Sequence, residues 1–126
     1  MDQAYSNEIM DHFINPRNVG EIEDADGVGV AGNPVCGDVM QITIKVENDV
    51  IIDAKFKTFG CAAAIASSSM ATQMIIGKKV LQVQQFSNKQ VIDELGNIPK
   101  NKIHCSILAE EAVHKAIEDY LKRKAN

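Results

Sequence analysis

VMQITIKVE, residues 39–47, alternates between apolar and polar side chains from Met40 onward. The two sets fall on opposite faces: Met40, Ile42, Ile44 and Val46 on one, and Gln41, Thr43, Lys45 and Glu47 on the other. A period of two residues predicts a β-strand with one buried face and one exposed face.

A second strand follows this one after a short turn. Asn48-Asp49 is a turn signal, and the residues after it alternate again. The inward set is Ile52, Ala54 and Phe56, and the outward set is Asp53, Lys55 and Lys57. The pair predicts an antiparallel hairpin with one face in water. Before it, residues 19–34 are rich in glycine and end at the turn signal Asn33-Pro34, so we expect at most one short strand there, near Gly27–Ala31.

Helices are predicted before and after the hairpin. Residues 6–15 have apolar side chains at helical spacing, with Ser6 as N-cap and Pro16 as the stop. Residues 62–76 carry no charge and many small side chains, and they end at Gly77, which predicts a buried helix lying close to the sheet.

The remainder of the chain is also mostly helical. Residues 78–94 predict one or two short helices capped by Ser87 or Asn88 and ended by Gly96-Asn97-Ile98-Pro99. The last helix is predicted to begin at Ser106, as N-cap, and to run to about Arg123. Together these elements predict one α+β domain over residues 1–126, a small antiparallel sheet of about three strands with helices packed on it.

Composition narrows the classes of function. The chain has 126 residues, a 45% hydrophobic fraction and a formal net charge of -4. Without a clustered basic face, nucleic acid is not an expected partner. No apolar run approaches the roughly 20 residues of a membrane helix, and the first residues do not resemble a signal peptide. We therefore expect a cytoplasmic protein without a membrane partner.

Three cysteines carry the chemistry: Cys36, Cys61 and Cys105. In a reducing compartment an odd number of cysteines predicts free thiols, metal ligation or redox chemistry rather than a disulfide framework. Each is expected at a bend, and Cys61 and Cys105 are expected just before helices, where the dipole favours the thiolate. Their wide spacing leaves two interpretations open, a common site assembled by the fold and three independent structural thiols.

Asp38 and His104 favour the common site, because each lies within two positions of a cysteine. Three thiolates with a carboxylate or an imidazole would hold an iron-sulfur cluster less permanently than four cysteines. The same donors also suit tetrahedral zinc, so the donor set does not decide between iron and zinc.

Other polar residues have simpler interpretations. A catalytic pair of His104 and Cys105 is disfavoured, since adjacent side chains point apart in regular structure. His12 and His114 are expected at helix surfaces. Lys102 is either a solvated loop lysine or a cation that lowers the pKa of Cys105.

The chain resembles the IscU family of iron-sulfur scaffolds, which is equivalent to the N-terminal domain of NifU. Five ordered blocks carry the resemblance: residues 15–20 (NPRNVG), 36–38 (CGD), 56–61 (FKTFGC), 64–69 (AIASSS) and 102–106 (KIHCS). The histidine before the last cysteine, and the lack of an insertion between the second and third cysteines, favour IscU over the zinc-dependent SufU branch.

The resemblance implies a scaffold rather than an enzyme. Such a protein receives sulfur from a cysteine desulfurase of the IscS or NifS type, takes iron, builds a labile [2Fe-2S] cluster and passes it to acceptor proteins. The implied ligands are Cys36, Asp38, Cys61, His104 and Cys105. Cys105 also matches the persulfide acceptor, with Lys102 as an assisting cation.

The resemblance further allows zinc in the cluster-free form, an electron donor such as a ferredoxin, and a homodimer formed through a shared cluster. A dedicated DnaK-type chaperone is less expected, because residues 98–102 read IPKNK where the family typically has Leu-Pro-Pro-Val-Lys. The alternative function is a zinc-bound sulfurtransferase that carries persulfide without building a cluster.

Overall fold

The strand predicted at residues 39–47 is the middle strand of a three-stranded antiparallel sheet. The structure is a computed structural model that describes residues 6–33, 37–96 and 98–125. The strands are β1 (Gly27–Asn33), β2 (Asp38–Glu47) and β3 (Val50–Phe59), in the order β1-β2-β3. The predicted hairpin and the α+β class are confirmed. Pro34, Cys36 and Asn97, which entered the predictions above, lie outside the described residues.

Five α-helices accompany the sheet in the described part of the chain. They are α1 (Asn7–Ile14), α2 (Ala62–Ile75), α3 (Val80–Val83), α4 (Asn88–Leu95) and α5 (Ile103–Ala125). A single 3-10 turn, Lys100–Lys102, leads into α5. None of the described helices is both long enough and apolar enough to cross a membrane.

Helices α2 and α5 cover one face of the sheet and form the core with it. The inward side chains of β2, Met40, Ile42 and Ile44, are fully buried there. Each contributes on the order of 2 kcal/mol through removal of apolar surface from water. Along α2 the small and hydroxyl side chains are buried as well, which confirms the prediction of a buried, uncharged helix.

The predicted inward face of β3 is correct for Ala54 and Phe56 but wrong for Ile52. The pairing of β2 with β3 shifts register between Lys45 and Val46, so that Val46 pairs with Ile51. Ile51 is therefore fully buried, whereas Ile52 is 48% exposed. A bulge inserts one extra residue and reverses the alternation beyond it, which a period-two pattern does not reveal.

Two glycines let α5 approach β1 closely. A Cβ on Gly29 would lie 2.1 Å from the Ala112 carbonyl oxygen and 2.4 Å from the Ala116 nitrogen. The same constraint applies at Gly27, where an added Cβ would lie 2.3 Å from the Ala116 carbonyl oxygen. Both obstacles are backbone atoms of a helix, so they cannot move aside as a side chain would.

His12, which was predicted at the surface, is instead buried between α1 and α2. Its Nδ1 lies 2.7 Å from the Ser69 hydroxyl, which also accepts a hydrogen bond from the Arg17 backbone N-H at 2.9 Å. The error has a simple cause, since the face of α1 that carries Ile9 also carries His12. His114 is half-buried, and its Nε2 donates to the Phe86 carbonyl oxygen at 2.6 Å.

The start of α5 also differs from the prediction. The helix begins at Ile103 rather than after Ser106, because the 3-10 turn runs directly into it. Ser106 is fully buried, and its hydroxyl donates to the Ile103 carbonyl oxygen at 2.7 Å instead of capping the helix. His104 and Cys105 consequently belong to the first turn of α5.

Replacement of Gly29 by alanine should destabilise the protein by about 3 kcal/mol, the upper end of the usual cost of overpacking, because the obstacle is helix backbone. Urea unfolding would measure this. Val30→Ala is the matched control on the same strand: its side chain is 48% exposed, so we expect a loss below about 1 kcal/mol. Equal losses in the two variants would contradict the role assigned to Gly29.

Burial, followed by the nearby Arg17 charge, lowers the pKa of His12. The folded state therefore disfavours protonation, and the stability present above the unfolded pKa of about 6.5 should be lost as pH falls through the folded pKa. Urea midpoints between about pH 7.5 and pH 5.5 should decline in the wild type and vary much less in His12→Gln. The control Asp11→Asn, on the same helix, should keep the decline, because Asp11 titrates well below this window.

Candidate metal centre

Strand pairing brings two of the predicted ligands, Asp38 and Cys61, together. Val39 pairs with Phe59, so the start of β2 lies beside the end of β3. Asp38 is the first residue of β2, and Cys61 follows β3 as the N-cap of α2. Two residues far apart in sequence thus meet at one end of the β2-β3 pair.

The first turn of α5 places two more of the predicted ligands, His104 and Cys105, beside them. Cys105 Sγ lies 3.7 Å from Cys61 Sγ, and His104 Nε2 lies 3.1 Å from Asp38 Oδ2. His104 Nε2 is also 3.7 Å from Cys105 Sγ. The expectation that these adjacent side chains point apart is therefore wrong: both reach toward the same point.

The arrangement fits a single metal ion. One ligand atom from each of Asp38, Cys61 and Cys105 can be chosen so that all lie within 4.8 Å of one another. Two thiolates bound to one tetrahedral ion at about 2.3 Å would lie roughly 3.75 Å apart. The 3.7 Å between the two Sγ atoms already matches that separation. Cys36, the third predicted thiol, lies outside the described residues.

The surroundings of the two thiols differ. Cys61 is half-buried at the N-terminus of α2, as predicted, whereas Cys105 is fully buried inside α5. Burial, followed by the nearby Cys61 and Asp38, raises the pKa of Cys105 to about 12. Lys102 acts in the predicted direction, but its lowering of this pKa is the smallest contribution. The prediction that Cys105 is a thiolate is thus wrong for the protein without a bound cation.

Sequence reasoning missed the two alanines that pack against the thiols. Ala63 and Ala64, in the first turn of α2, are buried and pack with Cys105 and Cys61 in a small apolar cluster. Only side chains of this size let α5 bring Cys105 so close to the start of α2. The available signal was the run of alanines directly after Cys61.

Comparison with known proteins assigns the chain to a family. The family model described as NifU-like N terminal domain matches residues 4–126. The chain belongs to the NifU-like N-terminal domain family. The resemblance to IscU inferred from the five sequence blocks is confirmed.

Members with curated names are similar over most of the chain. Iron-sulfur cluster assembly scaffold protein IscU 1 of Archaeoglobus fulgidus is 57% identical over 119 residues, which cover 94% of this chain and 78% of that protein. The IscU protein of Aquifex aeolicus is 53% identical, covering 98% and 80%. That of Haemophilus influenzae is 51% identical, covering 93% and 95%.

Solved structures of this family share the fold. The N-terminal part of a NifU-like protein from Brucella abortus has a TM-score of 0.75 at 19% identity, covering 95% of this chain and 96% of that one. A SufU protein from Fervidobacterium islandicum, described as a candidate scaffold of the SUF system, has a TM-score of 0.71 at 25% identity, covering 90% and 96%.

Alkylation of the metal-free protein should distinguish the two thiols. Iodoacetamide at neutral pH should label Cys61 faster than Cys105 by at least about tenfold, because burial hides the Cys105 thiol from the reagent and also raises its pKa. Peptide mass spectrometry reports each site separately. In denaturant the two rates should converge, and equal rates in the folded protein would contradict the burial of Cys105.

Proposed function

We propose that this protein is a scaffold for assembly of iron-sulfur clusters. It accepts sulfur from a cysteine desulfurase, binds iron, builds a labile [2Fe-2S] cluster and passes it to acceptor proteins. The observation that carries the proposal is the convergence of Asp38, Cys61, His104 and Cys105 on one point. The names of the curated relatives support it.

The donor set explains why such a cluster would be transient. A resident cluster is usually held by four thiolates. Here a carboxylate and an imidazole stand beside the two described thiols, and these harder donors match iron in a cluster less well than thiolate does. With Cys36 as the third thiolate, Asp38 and His104 are left to compete for the remaining position. Because either donor binds iron weakly, a ligand from an acceptor protein can displace it at this position.

Sulfur delivery is assigned to Cys105. The desulfurase persulfide gives its outer sulfur to the Cys105 thiol, so that the desulfurase thiol is restored and a Cys105 persulfide forms. Two electrons from a donor of the ferredoxin type then reduce that persulfide to sulfide and thiol. Because Cys105 is fully buried and its pKa is raised, the desulfurase must open the first turn of α5 to reach the sulfur, and a nearby cation must favour loss of the thiol proton. Lys102, half-buried and only three residues away, supplies a positive charge there.

The remaining parts of the proposal follow from these roles. The protein has no turnover reaction of its own, since the desulfurase and the electron donor carry the bond-breaking steps. Free thiols suit the reducing cytoplasm. An open ligand position also permits a homodimer that shares one cluster. The stretch before α5, Lys100–Lys102, is a 3-10 turn rather than an extended segment, which gives a dedicated chaperone little to bind.

A second candidate function is a zinc-bound sulfurtransferase. The observation that favours it is the separation of the two thiols, which suits tetrahedral zinc as well as iron. In this function Cys105 leaves the metal, accepts sulfur and passes the persulfide on. Protein purified without oxygen that holds one zinc, accelerates the desulfurase and refuses iron would establish this second function.

Anaerobic reconstitution with iron, cysteine and a desulfurase should produce visible absorption of a [2Fe-2S] cluster that fades on transfer to an apoprotein. Asp38→Ala should hold the cluster several-fold longer, because it removes the carboxylate that competes with sulfur donors for iron. Time-resolved absorption after addition of a chelator measures this lifetime.

The matched control is Asp24→Ala, which removes a carboxylate paired with Lys45 rather than one in the metal centre. Its cluster should decay at the wild-type rate. If no cluster absorption appears in the wild type, the proposed scaffold function is wrong. If Asp24→Ala lengthens the lifetime as much as Asp38→Ala, the ligand role of Asp38 is wrong.

A further inference from the structure

The Asp38 carboxylate lies directly over Gly60. A Cβ on Gly60 would stand 2.5 Å from Asp38 Oδ1, far closer than van der Waals contact, and 3.3 Å from Asp38 Cγ. It would also stand 3.1 Å from the Cβ of Ala64. The carboxylate thus occupies the space that any other residue at position 60 would need for its side chain.

Backbone conformation does not explain this glycine. Gly37, on the other side of Asp38, has a φ of +88°, a value that side chains disfavour, and a Cβ there would meet none of the described residues within 4 Å. Gly60 is the opposite case, since its backbone is not in the left-handed region and its Cβ would collide. The constraint at position 60 is therefore space for a neighbouring side chain.

The position of that carboxylate matters for the metal centre. Asp38 Oδ2 reaches His104 Nε2 at 3.1 Å, and the Asp38 side chain is only 19% exposed. The same carboxylate lies within 4.8 Å of the sulfur atoms of Cys61 and Cys105. Gly60 immediately precedes Cys61, so one short segment provides both a thiol and the seat for the carboxylate.

We propose that Gly60 is a positioning residue of the metal centre: its missing side chain lets the Asp38 carboxylate reach the ion that Cys61 and Cys105 bind. This proposal rests on the ligand role of Asp38 in the proposed function. An alanine Cβ at position 60 would press on two groups, the Asp38 carboxylate and the Ala64 Cβ. The Asp38 carboxylate is the free end of a side chain and can rotate away, whereas Ala64 is fixed in α2.

Rotation of the carboxylate has a specific consequence. It separates Oδ2 from His104 and withdraws an oxygen donor from the ion, while both thiols stay in place. In the binding of a single metal ion, Gly60→Ala should therefore act as a partial copy of Asp38→Ala. A change in a residue that orients a metal ligand typically lowers metal affinity by about 10- to 100-fold.

Anaerobic titration with Co²⁺ tests this directly, because cobalt bound to thiolates absorbs in the visible range. Four proteins are compared: wild type, Gly60→Ala, Asp38→Ala and the double variant. Gly60→Ala should weaken Co²⁺ binding by about tenfold in the wild-type background. In the Asp38→Ala background the same substitution should change the affinity by less than about twofold, since the carboxylate it displaces is gone.

Each other outcome decides against the proposal. An equal loss in both backgrounds would mean that Gly60 acts through the backbone or Cys61. Loss of the folded state in Gly60→Ala, seen by circular dichroism, would mean that the backbone yields instead of the carboxylate. If Asp38→Ala binds Co²⁺ as the wild type does, the ligand role of Asp38 fails and the positioning role fails with it. If Asp38→Ala weakens binding and Gly60→Ala does not, the positioning role alone fails.

Discussion

The antiparallel pairing of β2 with β3 is the constraint on which the rest of this molecule depends. It sets the start of one strand against the end of the other and so places Asp38 beside Cys61. The same pairing fixes which side chains of β2 face the helices, and the buried face then holds α2 and α5 against the sheet. A slip of one residue in this register would turn the buried face of β2 outward, and it would also separate the Asp38 carboxylate from the Cys61 thiol. Fold and metal centre are therefore specified by a single register.

Close packing turns this register into a site. The first turn of α2 presents alanines to the first turn of α5, so the two helices meet where Cys61 caps one and Cys105 lies in the other. In β1, Gly27 and Gly29 leave room for the backbone of α5 to pack closely on the strand. Larger side chains at either place would move α5 outward and carry Cys105 away from Cys61. The small residues are thus the reason that two thiols distant in sequence lie at the separation a shared ion needs.

Much of the fold could be predicted from the sequence because its signals are local. The alternation of β2, the Ser6 cap and the uncharged character of α2 each depend on neighbours in the chain. What the sequence did not reveal depends on contacts between distant segments: the bulge that buries Ile51, the burial of His12 against Ser69, and the early start of α5. For the metal centre, residue types identified Asp38, Cys61, His104 and Cys105. The role of Gly60 could not be inferred, because a glycine that makes room for a side chain looks the same in sequence as one that makes a turn.

The metal centre also carries an electrostatic cost that bears on release. Two thiols and a carboxylate within 4.8 Å cannot all be charged cheaply, and the raised pKa of Cys105 reflects both its burial and these neighbours. Without a cation, the centre keeps the Cys105 proton. A bound ion supplies the positive charge that makes the thiolate favourable, so ion binding and proton release are coupled. The reverse also holds: loss of the ion favours reprotonation of Cys105, which relieves its repulsion with Cys61 and Asp38. In the proposed scaffold function, this coupling would favour binding when metal and sulfur arrive and a protonated Cys105 once they have left.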